Sequence, residues 1–210
     1  MKPKFTVSAI LLLMSAAITQ MGTAQQAQDL HQGSVTDRQE TQGDITYTLK
    51  DDLTFSDFQT EDTIFGGSVF FNQIEVAHTP PNQSTMTFTG AGMSMSFDNC
   101  SSINNTKWIN PNEGGGAIRA EMLTFTDMGD ISFNNCRSIV NTDTNAGGAI
   151  NARGDVTFSQ VGNISFTNNT LGNDGKQGQA LGGALFAWGT VNFRDTGSIL
   201  FSNNSTGQSP

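Results

Sequence analysis

The sequence predicts an all-β fold, a right-handed parallel β-helix or β-solenoid with about four recognisable coils of 33–36 residues. Two observations predict it. Short apolar segments recur along the chain at a nearly fixed interval, and within each segment the apolar residues alternate with polar ones at the period of a strand. Composition points the same way: fifteen Phe but a single Tyr, twenty-three Gly, and only 14% charged residues. Such a chain suits flat stacked strands joined by tight turns better than a bundle of helices.

The chain opens with a segment that is not part of this pattern. Lys2 and Lys4 make a short positive region, Val7 to Ala17 is apolar or small, and Gly22-Thr23-Ala24 places small residues before a cleavage point after Ala24. This is the layout of a secretory signal peptide over residues 1–24, too short for a good membrane span. Its removal takes two lysines and leaves a mature charge of 8 − 19 = −11. Residues 25–65 are expected to be an irregular or capping segment, although Asp44-Ile45-Thr46-Tyr47 and Leu53-Thr54-Phe55 faintly echo the downstream repeat.

From residue 66 to 210 the chain repeats. Gly115-Gly116-Ala117-Ile118, Gly147-Gly148-Ala149-Ile150 and Gly182-Gly183-Ala184-Leu185 each open a unit. Each is followed by a strand-like triplet ending in Phe (Phe125, Phe158, Phe193), and eight residues later by a second Phe (Phe133, Phe166, Phe201). A degenerate copy lies upstream, with Gly66-Gly67-Ser68-Val69, Phe88 and Phe97. The second Phe positions, 97, 133, 166 and 201, are 36, 33 and 35 residues apart. Three short strands per unit cannot bury their own apolar face, so the units must stack, with like residues about 4.8 Å apart along the axis. The Phe residues then form two interior ladders. The Gly pairs supply a corner that needs positive φ or close backbone approach. The Asn residues after Phe cap a turn, and Leu171 to Leu181 reads as a loop. Handedness rests on the right-handed crossover rule.

Alternating Gly-Gly-Ala-Ile/Leu and Phe-x-x-Asn tetrapeptides resemble those of the chlamydial polymorphic membrane proteins. Gly115 to Ile118, Gly147 to Ile150 and Gly182 to Leu185 match the first, and Phe166 to Asn169 and Phe201 to Asn204 the second. Cys100 and Cys136 depart from the second, standing where Asn is expected, and Ser68 departs from the first. The resemblance implies an autotransporter: a β-helical adhesive passenger at the outer membrane or cell surface, acting in virulence, contacting a host cell-surface receptor, with a membrane β-barrel to tether it. It covers the start of the passenger only. The chain is expected to be a fragment or a truncated product, stopping before any barrel, and periplasmic or released if it ends at Pro210.

The residues themselves exclude several functions and leave others open. A chain of net charge −9 lacks the basic patch that nucleic acid requires. Two Cys and two distant His exclude a Cys/His zinc site, and no phosphate loop or calcium repeat is present, so no metal or cofactor is expected. No catalytic residues are expected either: Asn141-Thr142-Asp143 is similar to a piece of a polygalacturonase pattern, but no partner carboxylates accompany it. A β-helical carbohydrate-active enzyme and a truncated remnant without binding activity remain the alternatives to an adhesin. Arg153-Gly154-Asp155 is an integrin-type tripeptide on a turn, and is read either as a binding motif or as a turn that wants Gly. Cys100 and Cys136 occupy one repeat position in adjacent coils, so an intrachain disulfide, stacked free thiols and cross-links to other outer-membrane proteins are all open. The last coil leaves an unpaired edge, which favours self-association.

Overall fold

A computed structural model describes residues 26–31, 39–41, 44–57, 59–61, 70–72, 84–104, 115–140, 144–173 and 179–208. The expected signal peptide, the tetrapeptide Gly66 to Val69 and Asp143 lie outside the described residues. The described residues are all-β, with no helix, and their strands pair in parallel. This architecture is compatible with a β-helix or solenoid. No helix among the described residues is long and apolar enough to cross a membrane.

The strands fall into successive units. After β1 (Gln26–Leu30), the first unit holds β2 (Gln39–Thr41), β3 (Ile45–Leu49), β4 (Leu53–Ser56) and β5 (Gln59–Glu61). The second holds β6 (Phe70–Asn72), β7 (Thr85–Thr89), β8 (Met95–Asp98) and β9 (Ser101–Asn104). The third holds β10 (Ile118–Ala120), β11 (Met122–Met128), β12 (Ile131–Asn134), β13 (Arg137–Val140) and β14 (Thr144–Ala146). The fourth holds β15 (Ile150–Ala152), β16 (Val156–Val161), β17 (Ile164–Thr167), β18 (Thr170–Asn173) and β19 (Gln179–Leu181). The last holds β20 (Leu185–Ala187), β21 (Val191–Thr196), β22 (Ile199–Ser202) and β23 (Ser205–Gln208).

Equivalent strands stack into four main sheets, ordered β1-β3-β7-β11-β16-β21, β2-β6-β10-β15-β20, β4-β8-β12-β17-β22 and β5-β9-β13-β18-β23, with β14 and β19 forming a fifth. Register places like on like: Phe125 opposite Phe88 and Phe158, Ile131 opposite Met95 and Ile164, Phe133 opposite Phe97 and Phe166.

Three expectations need correction. The stretch from 25 to 65 is not irregular where it is described: β2 to β5 pair in register with the second unit, and Tyr47 and Phe55 extend the aromatic ladders by one step each. Its side chains differ from the later repeat, but its inward positions are buried at the same alternation. Among the described residues each unit carries four or five strands, not three. The extra ones, such as β13 and β18, pair through their backbones while sharing almost no side-chain identity. And Leu171 to Leu181 is not simply a loop, because its two ends belong to β18 and β19.

Side chains at alternate positions point inward and make one core. Tyr47, Phe88, Phe125, Phe158 and Phe193 form one ladder with ring centroids 4.9–5.2 Å apart. Phe55, Phe97, Phe133, Phe166 and Phe201 form the other at 4.8–5.0 Å. The ring spacing equals the strand spacing, so the rings must stack nearly parallel. Edge-to-face contacts, Phe125 with Phe133 at 6.4 Å and Phe158 with Phe166 at 6.5 Å, tie the two ladders together.

Candidate functional site

The turns between the third and fourth strands of each unit decide what the cysteines do. After each ladder Phe the chain must reverse inward within three residues. Asn99, Asn135, Asn168 and Asn203 meet this with φ of 53–56°, the left-handed region that Asn tolerates best among residues with a side chain. The next residue, at Cys100, Cys136, Asn169 and Asn204, turns into the interior. Asn204 Nδ2 donates to Phe166 O at 2.8 Å, and Asn169 Nδ2 to Phe133 O at 3.1 Å, each reaching the preceding unit. Cys136 Sγ lies 3.7 Å from both Phe97 O and Asn134 O, and Cys100 Sγ 3.6 Å from Phe55 O and 3.7 Å from Asp98 O. The thiols thus stand where the amides stand, each buried beside the carbonyl of the ladder Phe in the preceding unit. This is why Cys can replace Asn in the tetrapeptide.

Both cysteines are buried, and neither is in a disulfide. A hydrogen bond with Cys100 and, after it, burial push the Cys136 thiol well above its ordinary value. It is therefore protonated at neutral pH, and a protonated, buried thiol is a poor nucleophile and a poor partner for cross-linking.

Arg153, Gly154 and Asp155 lie on a bend between β15 and β16, as the sequence places them. Their polar groups are engaged within the fold. Arg153 Nη1 forms an ion pair with Glu121 Oε1 at 3.2 Å, and Glu121 is buried. Gly154 N donates to Glu121 O at 2.6 Å. The exposed carboxylate of Asp155 accepts from Thr190 N of the next unit at 2.7 Å. Asp155 belongs to a series of turn staples in which a side-chain oxygen accepts the amide of the neighbouring unit. Asp44 does so for Thr85, Asp52 for Ser94, Asp130 for Asn163, and Asn163 for Ser198.

The Gly pairs form the corner expected of them. Gly115, Gly147 and Gly182 have φ of +92°, +70° and +72°. Their partners Gly116, Gly148 and Gly183 are required by contact. A Cβ on Gly116 would lie 2.6 Å from Arg137 N and 2.6 Å from Gly148 O, and one on Gly183 would lie 2.8 Å from Ser205 O. At this point the start of one strand runs against the backbone of another in the same unit.

Among the described residues, no group of three or more His, Cys, Asp or Glu is placed to hold a metal ion. Asp127, Gln160 and Asp195 share one register position with φ of 50–54°, so they mark a bend common to β11, β16 and β21, not a carboxylate row. Sequence reasoning singled out the edge of the last unit but named none of its apolar side chains. Trp188, Ile199, Leu200 and Phe201 are the exposed large apolar residues of the described chain. Aligning the units position by position carries part of the signal, since Leu200 stands where earlier units have Ser. No model of a known protein family, no curated protein and no solved structure matches the chain.

Proposed function

We propose that this chain is an exported, surface-displayed adhesive passenger of the autotransporter kind, acting on host cells by binding and not by catalysis. The observation that carries the reading is the alternation of Gly-Gly-Ala-Ile/Leu and Phe-x-x-Asn tetrapeptides behind a signal-peptide-like segment. The stacking of those tetrapeptides in parallel register supports it. We read the units as coils of a right-handed parallel β-helix, about four of them with the 33–36-residue spacing. In such a body the interior is filled by stacked side chains, so function belongs to the outer faces and to the segments between strands.

The adhesive reading does not draw on Arg153-Gly154-Asp155, whose charged groups are tied to Glu121 and Thr190. Beads coated with the processed chain should bind epithelial cells, and a soluble Arg-Gly-Asp peptide should leave that binding unchanged. Inhibition by the peptide would return the tripeptide to the binding site. Beads that bind no better than albumin-coated controls would remove the adhesin reading. Release of reducing ends from a polysaccharide, abolished by Asp143→Asn, would replace it with a carbohydrate-active enzyme.

A further inference from the structure

We infer that the outer face of the strands β3, β7, β11 and β16 binds a lattice of ordered water, and that its ligand is the surface of ice. The inference goes beyond the adhesive reading and does not depend on it. The inward residues of these strands are the first aromatic ladder, and the outward residues between and beside them are hydroxylic. Thr87, Thr124 and Thr157 stand in register in one column, and Thr89, Thr126 and Ser159 in the next. The strand β3 adds Thr46 and Thr48 at the same two positions. All are half-buried on the outward side of their strands. A Thr-Phe-Thr strand repeated by stacking thus makes a two-dimensional grid. Its repeats are about 4.8 Å between units and about 6.6 Å, two strand rises, along each strand.

Three features set this face apart. It is flat. The rings directly beneath it, Phe88, Phe125 and Phe158, differ in plane by 14° and 8° from one to the next. An ordinary sheet twists by about 20–25° per strand. Its hydroxyls are also turned to the outside. On the sheet that carries the second ladder, the outward groups bond one another: Ser96 Oγ donates to Thr54 Oγ1, Asn134 Nδ2 to Asp98 Oδ1 and Thr167 Oγ1 to Asn134 Oδ1, each at 2.9 Å. No such bond joins the hydroxyls of Thr87, Thr124 and Thr157 to a neighbour among the described residues. Finally, the grid carries no charge in a chain of −9. Its columns meet charge only at their margins, where Asp29 pairs with Thr48 and Arg194 with Ser159.

These features select the occupant. An uncharged face offers nothing to an ionic partner. Its aromatic rings all point inward, so it has no platform for a sugar ring and no aromatic anchor of the kind that dominates protein interfaces. What each position does offer is one hydroxyl and one methyl, held by a β-branched side chain that is stiff at χ1. The hydroxyl anchors a water and the methyl orders the waters around it. Little side-chain freedom is lost when a rigid array of this kind is covered. A grid periodic in two directions fits a ligand that is itself periodic in two directions. The faces of hexagonal ice expose oxygens with a shorter and a longer repeat close to the two repeats of this grid.

The full 210-residue chain, expressed with its N-terminal segment and purified as the host processes it, tests this on single ice crystals. The expected result is faceted crystals, a gap between melting and freezing points, and inclusion of the fluorescently labelled chain in growing ice, none of which albumin gives. Thr124→Lys projects a long charged side chain from the centre of the grid. It should keep the circular dichroism and melting of the wild type and lose all three effects. Thr157→Lys, one unit along, serves the same purpose if Thr124→Lys fails to fold. Ser132→Lys, outward on the neighbouring sheet, should leave the effects intact. A wild-type chain that acts on ice no more than albumin would overturn the proposal, as would ice activity that survives both grid variants or is lost equally in Ser132→Lys. Binding to crystalline chitin or cellulose that the grid variants abolish, without any effect on ice, would overturn it too and assign the face to a neutral polysaccharide.

Discussion

At the scale of single residues, the fold depends on buried donors aimed at turn carbonyls. Asn169 is the most heavily used of them. Its Nδ2 serves Phe133 O and Asn204 Oδ1, and its Oδ1 accepts from Cys136 N at 2.9 Å. Asn169→Ala leaves the buried Cys136 N unpaired, at about 1–3 kcal/mol, and removes a second donor to Phe133 O. Asn169→Cys keeps a group beside that carbonyl, as Cys136 is beside Phe97 O, but does not restore the partner of Cys136 N. Guanidinium unfolding should therefore rank the variants wild type, Cys, Ala, with the Cys variant still losing most of what Ala loses. Equal losses for the two variants would show that the thiol bond has no weight, and that Cys100 and Cys136 are tolerated for their size alone. The sequence made the equivalence of these four positions visible, through the fixed offset from the ladder Phe. It did not show the carbonyl being served, because that partner belongs to another unit, 36 to 45 residues away, and leaves no mark in the side-chain pattern. The same holds for Arg153 and Asp155. The tripeptide is conspicuous in the sequence, while Glu121 and Thr190, which occupy its charged groups, are not.

At the scale of elements, legibility depends on which strands bury large side chains. The strands carrying the Phe ladders were readable because Phe and Ile recur at period two within a repeat of nearly constant length. β13, β18 and β23 read Arg-Ser-Ile-Val, Thr-Leu-Gly-Asn and Ser-Thr-Gly-Gln, and little but backbone pairing unites them. The first unit was legible only as an echo, since Ile45, Tyr47 and Leu49 keep the alternation but not the identities. The Gly pair is the element-level device that sets where the extra strand begins. In the fourth unit, a Cβ on Gly148 would collide with Gly183 O and lie 3.0 Å from the carbonyl carbon of Thr170. Both neighbours are backbone, fixed by ladders on either side, so neither can yield cheaply. Gly148→Ala should cost about 3 kcal/mol, at the upper end of what overpacking a well-packed site costs. Gly207→Ala, where an added Cβ meets nothing within 4 Å, should stay within about 0.5 kcal/mol of wild type. Thermal melts of the two variants check the contrast, and a Gly148→Ala protein as stable as Gly207→Ala would mean that the corner is looser than its backbone contacts require.

At the scale of the whole molecule, a stack of units is quasi-one-dimensional: each contacts only its neighbours, so stability is a sum of unit and interface terms. The two ladders run the length of the described chain, yet the ends of the second are unequal, buried at Phe55 and open at Phe201. The position of a substitution along the axis should then matter more than its chemistry. Phe133 lies mid-stack, sandwiched between Phe97 and Phe166 at 4.8 Å on both sides, with Phe125 edge-on. Phe133→Ala should cost about 3–5 kcal/mol, the range for a fully buried Phe. Phe201 stacks on Phe166 at one face and is half exposed, so Phe201→Ala should cost the 210-residue chain roughly half as much. Denaturant midpoints of the two variants check the contrast. Equal losses would mean that the cost of removing a ladder ring does not depend on whether it is stacked on one face or on two, and that the units do not share their stability along the axis as a sum of neighbouring contacts.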